Sequence, residues 1–354
     1  MKRTVSILLT GVGAPGTRGT IYALRKNEDR IRVRLFGTDL RRDALGKYWV
    51  EAFHTLPPPE SADYVGEVNR ICRLHRIDLV LPQTTRETVA LAMAQRRLPF
   101  PALVSGGASI RKANNKFELV RVFEGLGLPG PRCHLVKSAH ELRKKALSLG
   151  YPEEPVTVKP PVSFGSRGFR VLTKRSTWSL QRFLTEKPSA TEISLEELEA
   201  ILDGKKDRFP ELIVSEYLPG AEYSVDAFVG AKGKVAIPRK REEIVNGISF
   251  KTTLEYRSDI VGNTLKVASE LGLKYAFGFQ YKLDRNGVPK VLECNPRVQG
   301  TMVASIFSGV NIIWLAVCEA LGSPRAIPSA RRLATFHRFW GGVGIAGDRL
   351  IDEI

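Results

Sequence analysis

Two alternating apolar runs, Phe279-Gln280-Tyr281-Lys282-Leu283 and Val291-Leu292-Glu293-Cys294-Asn295-Pro296-Arg297, lie on either side of Asp284-Arg285-Asn286-Gly287. Period-two alternation around an Asn-Gly step predicts an antiparallel hairpin. Alternate side chains of a strand share one face, so Glu293 and Asn295 point the same way. Gln280, on the partner strand, joins that face if the register allows. One carboxylate and two amide oxygens make a hard, oxygen-only donor set. Such a set suits Mg²⁺ held against phosphates, because Mg²⁺ keeps several waters and takes few protein ligands. Arg297, just past the strand, would bring a planar cation to the same phosphates. The alternative for this stretch is a surface hairpin with scattered polar residues.

At 354 residues the chain is too long for one ordinary core, and two or three packed domains are expected. A hydrophobic content of 43% with 26% charged residues is that of a soluble globular protein. Cys72, Cys133, Cys294 and Cys318 show no paired or metal-type spacing and read as reduced thiols of an intracellular, cytoplasmic protein. Met1-Lys2-Arg3 before Val5–Leu9 imitates a signal peptide, but Gly11 and Gly13 cut the apolar run short, and a first strand explains it better. No apolar stretch is long enough to span a membrane. The net charge of +17 attracts polyanions. The basic residues are spread along the chain as short doublets such as Lys174-Arg175, Lys205-Lys206 and Arg331-Arg332, so nucleic acid is not the expected partner.

Residues 1–110 alternate short apolar strands with helical segments, the pattern of a doubly wound parallel α/β sheet. Strands are expected at Val5–Thr10, Ile31–Leu35, Leu79–Leu81 and Ala102–Val104, with a helix carrying Tyr64, Val68, Ile71 and Cys72. Gly11-Val12-Gly13-Ala14-Pro15-Gly16 follows strand one, and Asp39 closes strand two. This arrangement resembles a dinucleotide fingerprint, with an acid for a ribose. Pro15 removes one donor from that loop. A binding loop for another ligand, or plain structure, remains open.

Residues 111–185 form the next block. Asn114-Asn115-Lys116 opens a helix with Phe117, Val120 and Phe123. Val156–Lys159 then leads through Ser163-Phe164-Gly165-Ser166-Arg167-Gly168 to a strand at Phe169–Leu172. A strand ending in Lys, a small-residue loop and a second strand make a hairpin lid whose backbone N–H groups can approach phosphate oxygens. The alternative is a surface hairpin whose glycines only serve turns. Residues 186–354 complete the chain. Within them, 186–210 reads as an inserted peripheral helix, with Ser194 and Glu197 as a capping box. Leu212–Val214 leads to Glu216-Tyr217-Leu218-Pro219-Gly220, and Tyr223, Val225, Ala227 and Val229 alternate as a strand. Backbone groups at that bend can pair an adenine edge, and Glu222 can hold ribose hydroxyls. Arg239 and Arg241 are either a solvated charge run or cations for a transferring phosphoryl group.

The order of these blocks resembles the ATP-grasp superfamily, and most closely its carbamoyl-phosphate-synthetase-like branch, over roughly residues 1–325. The most specific stretches are Val156–Gly168, Glu216–Asp226 and Gln280–Gln299. The resemblance implies a pre-ATP-grasp α/β domain at 1–110 that helps to hold the acceptor substrate. A two-subdomain α+β ATP-grasp fold would follow, with its lid in 111–185 and its hinge and metal hairpin in 186–354. It implies that Lys116 and Lys159 contact ATP phosphates and that Ser163, Gly165, Ser166 and Gly168 cover them. Glu216, Tyr217 and Leu218 would meet adenine, and Glu222 the ribose. Gln280, Glu293 and Asn295 would carry Mg²⁺, or Mn²⁺ in its place, with Arg297 beside the transferred phosphate.

The chain has one such module where the synthetase carries two in tandem. Ser249 stands where the synthetase's first module has a histidine. The implied activity is therefore a stand-alone carboxylate–amine ligase acting on small molecules through an acyl phosphate, as a monomer or a homodimer. Lys159 and Arg297 would stabilise the transfer, and the five histidines have no role. One half of a split carbamoyl phosphate synthetase is the alternative within the fold. An NAD-dependent oxidoreductase and a nucleic-acid-binding protein are the alternatives outside it.

Overall fold

The computed structural model describes residues 4–163, 165, 167–174, 191–203, 209–330 and 332–353. The chain divides into two compact units. One contains residues 1–114, 221–281 and 293–354; the other contains 115–220 and 282–292.

The first unit opens with four parallel strands, β1 (Thr4–Thr10), β2 (Arg32–Asp39), β3 (Ala52–Thr55) and β4 (Leu79–Pro82), in the order β3-β2-β1-β4. Helices α1 (Thr17–Arg25) and α2 (Tyr64–His75) cover it, α2 as the apolar spacing predicts. Val5, Ile7 and Leu9 pack with one buried cluster and Leu8 with Phe36, Tyr64, Val68 and Ile71 in another, so the central strand is buried on both faces. The strand expected at Ala102–Val104 is reduced to a single parallel bridge between Val80 and Ala102, with Leu103 N donating to Val80 O at 2.8 Å. Pro99 and Pro101 on either side of Phe100 break the run of donors that a longer ladder needs.

The same unit carries most of a six-stranded sheet built on the long strands β10 (Glu222–Gly230), β11 (Gly233–Val245) and β12 (Ile248–Leu254), with β13 (Tyr275–Leu283) and β14 (Pro289–Asn295) at one side, their connecting residues 282–292 counted with the second unit, and β15 (Thr335–His337) at the other. Asp284 Oδ1 accepts from Asn286 N and Val288 N, and Gly287 takes φ +76, so the Asp-Arg-Asn-Gly turn forms where expected. Among the described residues no single helix is long and apolar enough to cross a membrane. The segments Met302–Ser308 and Ile312–Ala320 pass that test only as a pair bent by 105°, and most of their side chains lie in the core.

The second unit holds a five-stranded sheet in the order β5-β9-β6-β7-β8, where β5 is Cys133–Val136, β6 Val156–Lys159, β7 Arg170–Leu172, β8 Glu192–Ile193 and β9 Leu212–Glu216. Strand β9 pairs antiparallel with β6, Val158 opposite Val214. A boundary at 185/186 therefore does not separate sheets, because the segment after it supplies a strand to the sheet before it. The capping box expected in 186–210 forms in full: Glu197 N donates to Ser194 Oγ at 3.1 Å and Ser194 N to Glu197 Oε2 at 3.0 Å. That helix (Leu195–Asp203) is not peripheral, since Leu195 and Leu198 are buried with Leu142, Val156 and Val214.

Candidate functional site

In the second unit, helix Lys116–Gly125 starts at Asn115, whose Oδ1 accepts from Phe117 N at 3.0 Å and Glu118 N at 3.1 Å. That cap fixes Lys116, which is 7% exposed, so that its ammonium donates to Ser163 O at 3.1 Å and Ser163 Oγ at 3.3 Å. The first residue of the proposed lid is thereby tied to a cation. Lys159 ends β6 and donates to Leu292 O at 3.2 Å. Gly165 and Gly168 take φ +61 and +76, and a Cβ on Gly168 would meet Pro160 at 2.8 Å, so the loop needs glycine there. Ser166 lies outside the described residues.

Glu216 closes β9 and accepts from Arg132 N at 2.9 Å, Arg132 Nε at 2.8 Å and Lys290 Nζ at 2.8 Å. Burial works against ionisation of this carboxyl, but Lys290 and Arg132 outweigh it and hold it below the usual carboxylate range. Tyr217 stays half-exposed with the Lys282 ammonium 5.2 Å from its ring centre, and Leu218 is buried. The side chain of Glu216 is thus committed to its own unit, while the backbone of 217–218 is the part that a ligand could meet.

In the first unit, Glu293 and Asn295 share one face as the alternation requires, with Asn295 Nδ2 donating to Glu293 Oε1 at 3.1 Å. Arg297 donates from Nε to Thr85 Oγ1 at 2.9 Å, from one terminal nitrogen to Val298 O at 2.8 Å and from the other to Asn295 Oδ1 at 3.4 Å. Burial pushes its guanidinium down, with Glu293 and Glu87 opposing. Gln280 lies half-buried on β13, the strand beside β14. Among the described residues no three His, Cys, Asp or Glu side chains gather into a metal-binding cluster. The Glu293–Asn295 pair would suit Mg²⁺ rather than Zn²⁺, because its donors are all oxygen and carry one full charge.

Glu222 accepts from Arg241, so the acid expected at a ribose already has a partner. Arg239 and Arg241 are not a solvated run. Arg239 is 1% exposed and forks onto Asp226 at 2.8 and 3.2 Å, while Arg241 donates to Ser249 Oγ at 2.9 Å and Gly247 O at 2.6 Å. Burial pushes the Asp226 carboxyl up, against the pull of Arg239 and Gln299.

The glycine loop is used internally. Asp39 Oδ2 accepts from Gly13 N at 2.7 Å and Asp39 Oδ1 from Arg41 N at 2.9 Å. A Cβ on Gly11 would lie 2.4 Å from Glu87 Oε2, and one on Gly16 would lie 2.6 Å from Gly300 Cα. These glycines serve close packing and Asp39 serves the loop backbone. Sequence reasoning missed Asp226 and Gln299 as members of these networks. The alternation of Arg239 and Arg241 across Lys240 was the available signal that both arginines share one strand face.

A family model described as "ATP-grasp in the biosynthetic pathway with Ter operon" matches residues 208–337. The carbamoyl phosphate synthase large chain of Pyrococcus furiosus is 26% identical over 229 residues, which are 62% of this chain and 20% of that one. The corresponding chain of Rubrobacter xylanophilus is 25% identical over 75% of this chain and 24% of its own length. The chain therefore spans about a fifth to a quarter of these curated relatives. Among solved structures, N5-carboxyaminoimidazole synthetase from Staphylococcus aureus, complexed with ADP, superposes with a TM-score of 0.71 at 15% identity, covering 95% of this chain and 82% of that one. An L-amino acid ligase from Bacillus licheniformis gives 0.63 at 16% identity, covering 91% and 75%.

Proposed function

We propose, from the premise that this chain is an ATP-grasp protein similar to carbamoyl phosphate synthase large chains, that it is an ATP- and Mg²⁺-dependent carboxylate–amine ligase. The observation that carries the reading is the pairing of Glu293 with Asn295 on one strand face, with the Arg297 guanidinium bonded to the same asparagine. A carboxylate is a poor acyl donor because oxide is a poor leaving group. Its oxygen attacks the γ-phosphorus of ATP, the bond to the β–γ bridging oxygen breaks and ADP leaves. The amine nitrogen then attacks the carbonyl carbon of the acyl phosphate, inorganic phosphate departs and the nitrogen loses a proton to give the amide.

Lys116 and Lys159 neutralise phosphate charge, and the Ser163, Gly165, Ser166 and Gly168 loop keeps water from the acyl phosphate. The backbone at Glu216, Tyr217 and Leu218 receives adenine, and Glu222 shares its carboxylate between Arg241 and the ribose. Mg²⁺ held by Gln280, Glu293 and Asn295 would supply charge neutralisation at the phosphates. Arg297 meets the transferring group with a planar cation. The test is ADP formation from Mg·ATP against panels of amino acids and small carboxylates, with products weighed by mass spectrometry. A product equal to the two substrates less one water is expected, and no ADP with any pair overturns the reading. The sequence similarity to carbamoyl phosphate synthases favours one second reading, half of a split synthetase. Bicarbonate-dependent turnover that needs a partner protein would select it.

A further inference from the structure

Six polar side chains of the first unit form one continuous chain, five of them buried and Glu222 partly exposed. Glu222 accepts from Arg241, and Arg241 Nε donates to Ser249 Oγ at 2.9 Å. Arg239 donates to the same Ser249 oxygen at 3.5 Å and forks onto Asp226. Gln299 Nε2 donates to Asp226 Oδ1 at 3.2 Å and to Val225 O at 2.9 Å. Asp226, Arg239, Ser249, Gln299 and Arg241 are 0%, 1%, 3%, 7% and 9% exposed. Gln299 is held from a third side, because its amide lies where a Cβ on Gly278 would sit, 1.6 Å from Gln299 Nε2. It follows Arg297 by two residues, on the same short segment beyond β14.

We infer that Asp226, Arg239, Ser249 and Arg241 form a relay that fixes Glu222 at one end and Gln299 at the other, and so positions Arg297 for phosphoryl transfer. The inference rests on the ligase reading for its chemistry, though not for its geometry. Arg239 and Arg241 are therefore positioning residues. Their hydrogen-bond partners engage Nε and both terminal nitrogens of each guanidinium, which suits them to holding neighbours in place rather than to meeting phosphate. Ser249 is the pivot: its oxygen has two lone pairs and accepts from both arginines, and so joins the two ion pairs. A displacement of Arg297 by a fraction of its own bond lengths is enough to matter, because transfer depends on alignment of the donor cation with developing charge.

Ser249→Ala removes the shared acceptor without touching a charge, and Gly278→Ala forces the Gln299 amide aside from the opposite end. Two readouts are made on the full chain. Hydrogen exchange of the backbone at 297–301 is expected to quicken in both variants, with β10 and β11 protected as before. Steady-state ADP release from Mg·ATP, with a mixture of common amino acids and bicarbonate as acceptors, is expected to show kcat lower on the order of 10-fold or more, with KM for ATP within about 2-fold. Ser249→Thr, which keeps the oxygen, should recover most of that loss. Unchanged exchange at 297–301, or an intact kcat in a variant whose melting point alone has fallen, overturns the relay. Failure of the unmodified protein to bind Mg·ATP overturns the ligase reading instead, and the exchange result still decides whether the relay exists.

Discussion

Asp226→Asn is the substitution that bears hardest on the interior of the first unit. Asp226 and Arg239 are 0% and 1% exposed and are joined by bonds of 2.8 and 3.2 Å. Asparagine keeps the shape and the oxygen that accepts from Gln299, but it leaves the guanidinium buried with no counter-charge. Removing one partner of a buried pair costs about 3–5 kcal/mol, most of it the stranded charge rather than the lost attraction. Against a total stability of roughly 5–15 kcal/mol, the variant folds with a much lower denaturation midpoint. Arg239→Met added to Asp226→Asn removes the stranded charge, and the double variant should regain about 2 kcal/mol or more. Urea unfolding of the parent, both single variants and the double variant measures this coupling directly. A loss below about 1 kcal/mol for Asp226→Asn, or a double variant as unstable as the sum of the singles, refutes the account of a tightly coupled buried pair.

Three further outcomes follow from the same structure. Glu293→Gln keeps the size and hydrogen bonding of the side chain but removes the full charge of the proposed Mg²⁺ set, so a folded variant with turnover lower on the order of 10²-fold or more is expected; near-normal activity at limiting Mg²⁺ would exclude Glu293 as a ligand. Arg297→Lys should also lower kcat, since an ammonium cannot reproduce the fork that engages Thr85 and Asn295; an unchanged kcat would contradict that role. Burial pushes the Glu87 carboxyl up to about 7 from an ordinary 4.5, so the folded state holds its proton more tightly than the unfolded state does. That contribution is complete below the unfolded value and is lost as pH rises toward 7, a span on the order of 3 kcal/mol; urea midpoints should fall between about pH 4.5 and 7 in the parent and much less in Glu87→Gln, and parallel slopes would exclude Glu87 as the source.

The parts of the fold that were legible in the sequence are those set by local rules. The β13–β14 hairpin declares itself through period-two alternation and Asn286-Gly287, and the helix at Leu195 through Ser194 and Glu197, because both signals act within a few residues. What the sequence could not reveal depends on register between strands. Arg239 meets Asp226 across β10 and β11 because Val225 stands opposite Pro238 and Asp226 opposite Ile237, a pairing that no spacing rule supplies. The same holds for Arg241 on Glu222, which lie directly opposite each other in that ladder. The glycine loop was ambiguous for a different reason. Gly11, Gly13 and Gly16 do permit close approach, but the groups that approach are Glu87, Asp39 and Gly300 of the same unit. A glycine pattern records that something must come near the backbone and leaves its identity open.

The central claim is that this chain binds ATP through magnesium, and calorimetric titration of Mg·ATP into the purified protein tests it most directly. The account predicts saturable binding that is abolished by excess EDTA, restored by Mg²⁺ or Mn²⁺ and weakened in Glu293→Gln. Absence of binding to Mg·ATP over a wide concentration range, or binding indifferent to EDTA and to Glu293→Gln, contradicts it.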